Sequence, residues 1–139
     1  MIEASAFAGA GAEAAPLHMP VSWDHAAALQ RVDGDAELLG ELIDIFFEDY
    51  PRHRDCLLSS LAQNDYATLR NTAHTLKGSL GYLGAVEGAQ LAALIERAGH
   101  KADAAELRQL VAALAAYVET LRNAMSPFLG EQGSATHRD

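Results

Sequence analysis

Between Trp23 and Met125 the apolar residues recur every three or four positions, the spacing that lines one face of an α-helix. Alanine and leucine dominate there, proline is nearly absent and β-branched residues are few, which favours helix over strand. Ser22 or Asp24 is placed to cap a short first helix running to about Val32, and the Asp33-Gly34-Asp35 turn stops it and caps the next. Over residues 36–62, Leu39, Leu42, Ile43, Phe46, Tyr50, Leu57 and Leu61 share one stripe at about 100° per residue. That stripe stays in phase past Pro51, so the pattern predicts one long helix bent at the proline, although an interior proline commonly breaks a helix. Asn64 and Asp65 turn the chain into a third helix over residues 66–83. A fourth, residues 86–98, carries Leu91, Leu94, Ile95 and Ala98 and is expected to end near Gly99. The fifth, residues 102–125, has the cleanest stripe: Leu107, Leu110, Val111, Leu114, Val118 and Leu121.

Short connections make consecutive long helices antiparallel neighbours, so the expected fold is all-α: an antiparallel four-helix bundle with a short N-terminal helix. Residues 22–126 are read as the domain, 1–21 as a flexible linker or disordered lead, and 127–139, where Pro, Gly and small polar residues return, as a disordered tail.

Composition narrows the function. The chain has 139 residues, enough for one domain at about 100 to 200 residues each, and no apolar run near the roughly 18 residues that span a membrane. Its formal net charge of -9 repels phosphodiester backbones and anionic lipid, so neither nucleic acid nor direct membrane contact is expected. A single cysteine, Cys56, excludes an intramolecular disulfide and a cysteine-based zinc cluster. The first residues hold Glu3 and Glu13 but no early Lys or Arg, unlike a secretory signal, so a cytoplasmic location is expected.

The chemistry concentrates in the third helix. There Leu69, Leu76, Leu80 and Leu83 fall within about 60° of one another, with His74 nearly opposite, and Arg70, Asn71, Lys77, Gly78 and Gly81 lie within about 60° of His74. Each glycine inside a helix costs about 1 kcal/mol relative to alanine, so Gly78 and Gly81 need a reason. Either the helix ends near Gly78, which leaves the in-phase Leu80 and Leu83 a coincidence, or bare backbone makes room for another molecule beside the imidazole. An exposed imidazole, with an unperturbed pKa near 6.5, is largely neutral at pH 7 and needs no base to be a nucleophile. Lys77, one turn along, would be placed to offset the charge of a phosphoryl group if one arrived on that nitrogen. His18, His25, His53, His100 and His137 read as structural or incidental; His53 lies at the edge of an apolar stripe.

The run His74-Thr-Leu-Lys77-Gly78-Ser79-Leu-Gly81-Tyr-Leu83-Gly84-Ala85 resembles the motif of histidine phosphotransfer (HPt) domains of two-component phosphorelays, a similarity that extends over residues 23–125. The resemblance implies a four-helix bundle in which His74 is the phosphoacceptor, loaded from an aspartyl phosphate on a response-regulator receiver domain and unloaded onto another receiver aspartate. It further implies that Lys77 lies near the phosphoryl group, that Gly78 clears space beside it, and that Ser79, Leu83 and Gly84 serve packing and helix geometry. Arg70, Asn71, Gly78 and Gly81 become candidate partner-binding positions. No cofactor or metal is expected in this chain, since in the family the receiver supplies Mg²⁺. Tyr82 and Leu80 depart from the small residues frequent at these positions, which bears on partner preference.

Other readings fit less well. In histidine kinase dimerisation domains an acidic residue usually follows the histidine, whereas Thr75 follows here, and no phosphate-binding loop or second domain supports ATP-dependent kinase activity in this chain alone. No motif ties a Ser or Cys to His74 as in a triad, and Glu96 with His100 reads as a surface pair rather than a bundle metal site. A helical module that docks and regulates a receiver without transferring phosphate is the alternative of a different class. Residues 1–20 resemble an interdomain linker, so the chain is read as the C-terminal module of a hybrid sensor histidine kinase, monomeric in isolation and held at the cytoplasmic face of the inner membrane, with a free-standing shuttle as the other arrangement.

Overall fold

The computed structural model describes residues 23–137, so the expected lead at 1–21 lies outside the described residues. Five helices account for the described chain, and no strand occurs among these residues: α1 (His25–Arg31), α2 (Ala36–Ala62), α3 (Tyr66–Tyr82), α4 (Val86–Lys101) and α5 (Ala104–His137).

Short acidic side chains start most of them. Asp24, Asp35 and Asp65 accept from the backbone N–H groups of Ala27, Leu38 and Thr68, each satisfying a donor that has no partner within its helix. Asp103 does the same for Glu106 at the start of α5. Asp65 also accepts from the Thr68 hydroxyl at 2.7 Å, and these two bonds hold its carboxyl below the usual carboxylate range. Left-handed residues stop the helices: Asp33 and Gly34 after α1, Asn64 after α2, Gly84 after α3 and Ala102 after α4.

The four long helices touch in a ring, α2 on α3, α3 on α4, α4 on α5 and α5 on α2, while α1 leans on α2. Their inner stripes meet in one core. Ile43 and Leu57 of α2, Leu69, Leu76 and Leu80 of α3, Ile95 of α4, and Leu107, Leu114 and Leu121 of α5 are all but sealed from solvent. At about 1.5–3 kcal/mol for each fully buried large apolar side chain, this stripe-to-stripe packing holds the bundle together. α2 runs without interruption through Pro51, as its in-phase stripe predicts. Among the described residues no helix is long and apolar enough to cross a membrane.

Two helix ends differ from expectation. α4 does not stop near Gly99 but reaches Lys101, because Gly99 is a packing position: a Cβ there would lie 2.8 Å from Arg70 Cγ and 3.2 Å from Leu69 Cδ2, so the bare backbone lets α4 approach α3. The segment expected as a tail from residue 127 is helical as far as His137, with Pro127 inside α5. Beyond that proline Phe128 stacks on His25 (centroids 4.1 Å apart) and meets Trp23 edge-on (5.1 Å), an apolar anchor that holds the chain against the bundle where the local composition favours a stop.

Candidate functional site

α3 is organised by angle. Its leucines face the core, and on the other side His74 stands with 66% of its side chain exposed. The imidazole is not free. His74 Nδ1 lies 3.3 Å from Glu96 Oε2, and Lys77 Nζ lies 3.3 Å from Oε1 of the same carboxylate, which α4 brings across the seam. A carboxylate can only accept, so in this contact Nδ1 carries the hydrogen, and it is Nε2 that bears the lone pair whenever the ring is neutral. Burial pushes the Glu96 carboxyl up, but hydrogen bonds from Lys77 and His74, together with their charges, outweigh it and hold the group below its ordinary value.

On the other side of His74 the surface opens. A Cβ added at Gly78 would meet nothing within 4 Å, so the next turn of helix presents only backbone there. Beyond it a groove of about 450 Å³ runs between α2 and α3, walled by Leu42, Ile45 and Asp49 on one side and Thr75, Gly78 and Tyr82 on the other. His53 lines it too; burial lowers its pKa, Arg52 adds to the lowering and Asp49 opposes both. The site thus combines an exposed imidazole that contacts Glu96 through Nδ1, a neighbouring cation on the same carboxylate and open space above a helical ridge. Among the described residues no group of three or more His, Cys, Asp or Glu side chains is arranged to hold a metal ion.

The model of the Hpt domain family matches residues 41–124, more than half of the chain. The chain belongs to the Hpt domain family. No match was found among curated proteins or among solved structures. Hpt domains act in histidine phosphotransfer within two-component phosphorelays, where they interact with receiver domains.

Within this Hpt domain the candidate residues separate into three groups. His74, Lys77 and Gly78 share the outer ridge of α3, and Asn71 is exposed one turn before His74 beside a second, smaller groove. Arg70 and Gly81 face α4 instead: Arg70 packs along Gly99, and a Cβ at Gly81 would touch Ala89 at 3.9 Å. Ser79, Leu83 and Gly84 belong to the end of the helix. The Ser79 carbonyl accepts from the Leu83 N–H, the Leu83 carbonyl accepts from the Trp23 indole at 2.7 Å, and Gly84 has φ 81° with its Cα against the Asp24 carbonyl.

Sequence reasoning missed Glu96. It does not form the expected surface pair with His100 but turns to His74 and Lys77. A signal was present: His74 and Glu96 stand at similar distances on the two sides of the Gly84 turn, so folding α4 back along α3 brings them level.

Proposed function

We propose that this Hpt domain takes a phosphoryl group from a receiver aspartyl phosphate onto His74 Nε2 and passes it to the aspartate of another receiver, as the C-terminal module of a hybrid sensor histidine kinase in the cytoplasm. The observation that carries this reading is the exposed imidazole whose Nδ1 is held by Glu96, which turns the Nε2 lone pair outward. In the loading step that lone pair attacks phosphorus, the bond from phosphorus to the aspartyl oxygen breaks, and its electron pair leaves as the receiver's carboxylate. The proton on Nδ1 stays in its bond to Glu96, so no base has to remove it. Lys77 opposes the charge brought by the phosphoryl oxygens, and bare backbone at Gly78 admits the receiver to within bonding distance. Mg²⁺ held in the receiver's acidic pocket would neutralise the same oxygens from the partner's side. Unloading is the reverse step onto the second aspartate.

Incubation with a phosphorylated receiver domain tests the reading. Wild type gains label that is lost in acid and survives base, as a phosphoramidate is, whereas His74→Gln gains none and keeps the same helical circular dichroism. Label on the His74→Gln variant, or a wild type that binds the receiver without taking label, overturns it.

A further inference from the structure

A second apolar groove lies on the far side of the bundle. Between α2 and α5 a cavity of about 290 Å³ is walled by Leu58 and Leu61 on one side and by Ala112 and Ala115 on the other, with Arg54 and Arg108 beside them. Leu58 is 50% exposed, a large area for a leucine to leave in water. In the ring of helices this seam stands opposite the one between α3 and α4 that ties His74 to Glu96, so covering it leaves the imidazole open. Along α5, at about 100° per residue, Arg108, Ala112, Ala115 and Glu119 fall within about 60° of one another. They form one outward edge about 16 Å long, with a cation at one end and an anion at the other. Among the described residues Arg108 makes no ion pair, and Glu119 meets Arg122 at 3.7 Å in an exposed contact that solvent screens.

That edge is its own complement. Positions 108, 112, 115 and 119 are symmetric about a point midway between Ala112 and Ala115, and the charge changes sign across it. A two-fold axis through that point runs the α5 of a second copy antiparallel to the first, sets Ala112 against Ala115 of the other copy, and sets Arg108 against the other copy's Glu119, each contact occurring twice. The chain's net charge of -9 opposes self-association, but from Ala104 to Met125 α5 is balanced, Glu106 and Glu119 against Arg108 and Arg122, so repulsion between copies is weak on this face. We propose that the groove between α2 and α5 is filled by a second copy of this chain, giving a two-fold dimer in place of the monomer expected from the sequence. Alanine at the crossing lets the two α5 axes approach to about 8 Å, and Leu58 of each copy packs over the alanines of the other. The pairing does not depend on the transfer proposed above. It leaves both His74 side chains facing outward, so one particle carries two imidazoles, each with its own open space at Gly78.

Sedimentation equilibrium of the full chain over a range of concentrations tests the pairing. Wild type should dimerise reversibly. Arg108→Glu brings two carboxylates together at both ends of the interface and Glu119→Arg brings two guanidinium groups together, so either single variant should raise the dissociation constant at least about tenfold while keeping wild-type helical circular dichroism. The two single variants mixed in equal amounts should associate with each other, because every end contact then joins opposite charges. Placing both substitutions in one chain should restore the dimer for the same reason. A wild type that stays monomeric at every concentration, whatever other protein the groove is able to hold, overturns the inference and leaves the transfer reading standing. A dimer indifferent to the single substitutions, or one that neither the mixture nor the double variant restores, overturns it as well.

Discussion

The two seams that flank His74 are built in opposite ways. On the α4 side the helices close up: Arg70 lies along Gly99, Gly81 faces Ala89, and Glu96 reaches across to bond both His74 and Lys77. On the α2 side they part and leave a groove, with Gly78 presenting backbone to open space. One seam ties the imidazole to Glu96, and the other leaves beside it the open space that the proposed transfer needs. Glycine serves both, for different reasons: close helix contact at Gly99 and bare, open backbone at Gly78.

The comparison breaks most sharply if the glycines of the two seams are exchanged for leucine. Gly78→Leu should leave thermal stability near wild type and reduce phosphotransfer about 100-fold, because the side chain stands where a receiver must approach and small misplacements at a reacting centre cost that much. Gly99→Leu should do the reverse, destabilising the fold by about 1–3 kcal/mol through overpacking against Arg70 and Leu69. Melting curves and transfer rates on the same two samples decide; equal behaviour would erase the distinction between the seams.

Glu96 comes next, as a positioning residue. Glu96→Ala should slow transfer about tenfold, with Glu96→Gln closer to wild type because its amide oxygen still accepts from Nδ1. A purely structural role would not move the ¹⁵N shifts of the His74 ring, which should report loss of the Nδ1–H tautomer preference in the alanine variant. The pH dependence follows from the lowered pKa: the bridge contributes fully above the ordinary carboxylate pKa of 4.5 and is lost as pH falls through the folded value below it. A smaller effect is expected at Lys77, whose partly exposed ammonium is screened by solvent; Lys77→Ala should slow transfer a few-fold without abolishing it. Smallest of all, Gly78→Ala should raise stability by up to about 1 kcal/mol, since the position is helical and a methyl group meets nothing.

Much of this was legible in the chain itself because it depends on local periodicity. The stripe from Leu39 to Leu57 carried α2 through Pro51, and the angle between His74 and the leucines of α3 separated its two faces before any neighbour was known. What escaped depends on which helix lies beside which. Glu96 has an ordinary place on α4 and becomes part of the site only through the register of α4 against α3. Gly99 reads as a helix stop in one dimension and is a contact point in three. Pro127 likewise argues for an ending, until Phe128 finds the rings of His25 and Trp23 across the bundle.

That last cluster has a practical side. Trp23 is the only tryptophan of the chain, and its indole is at once hydrogen-bonded to the carbonyl at the end of α3 and set against a ring of α5. A single native fluorophore therefore sits at the joint of three helices, well along α3 from His74. Its emission would report, with no dye and no substitution, whether the short N-terminal helix remains clasped during the proposed loading and unloading of the imidazole.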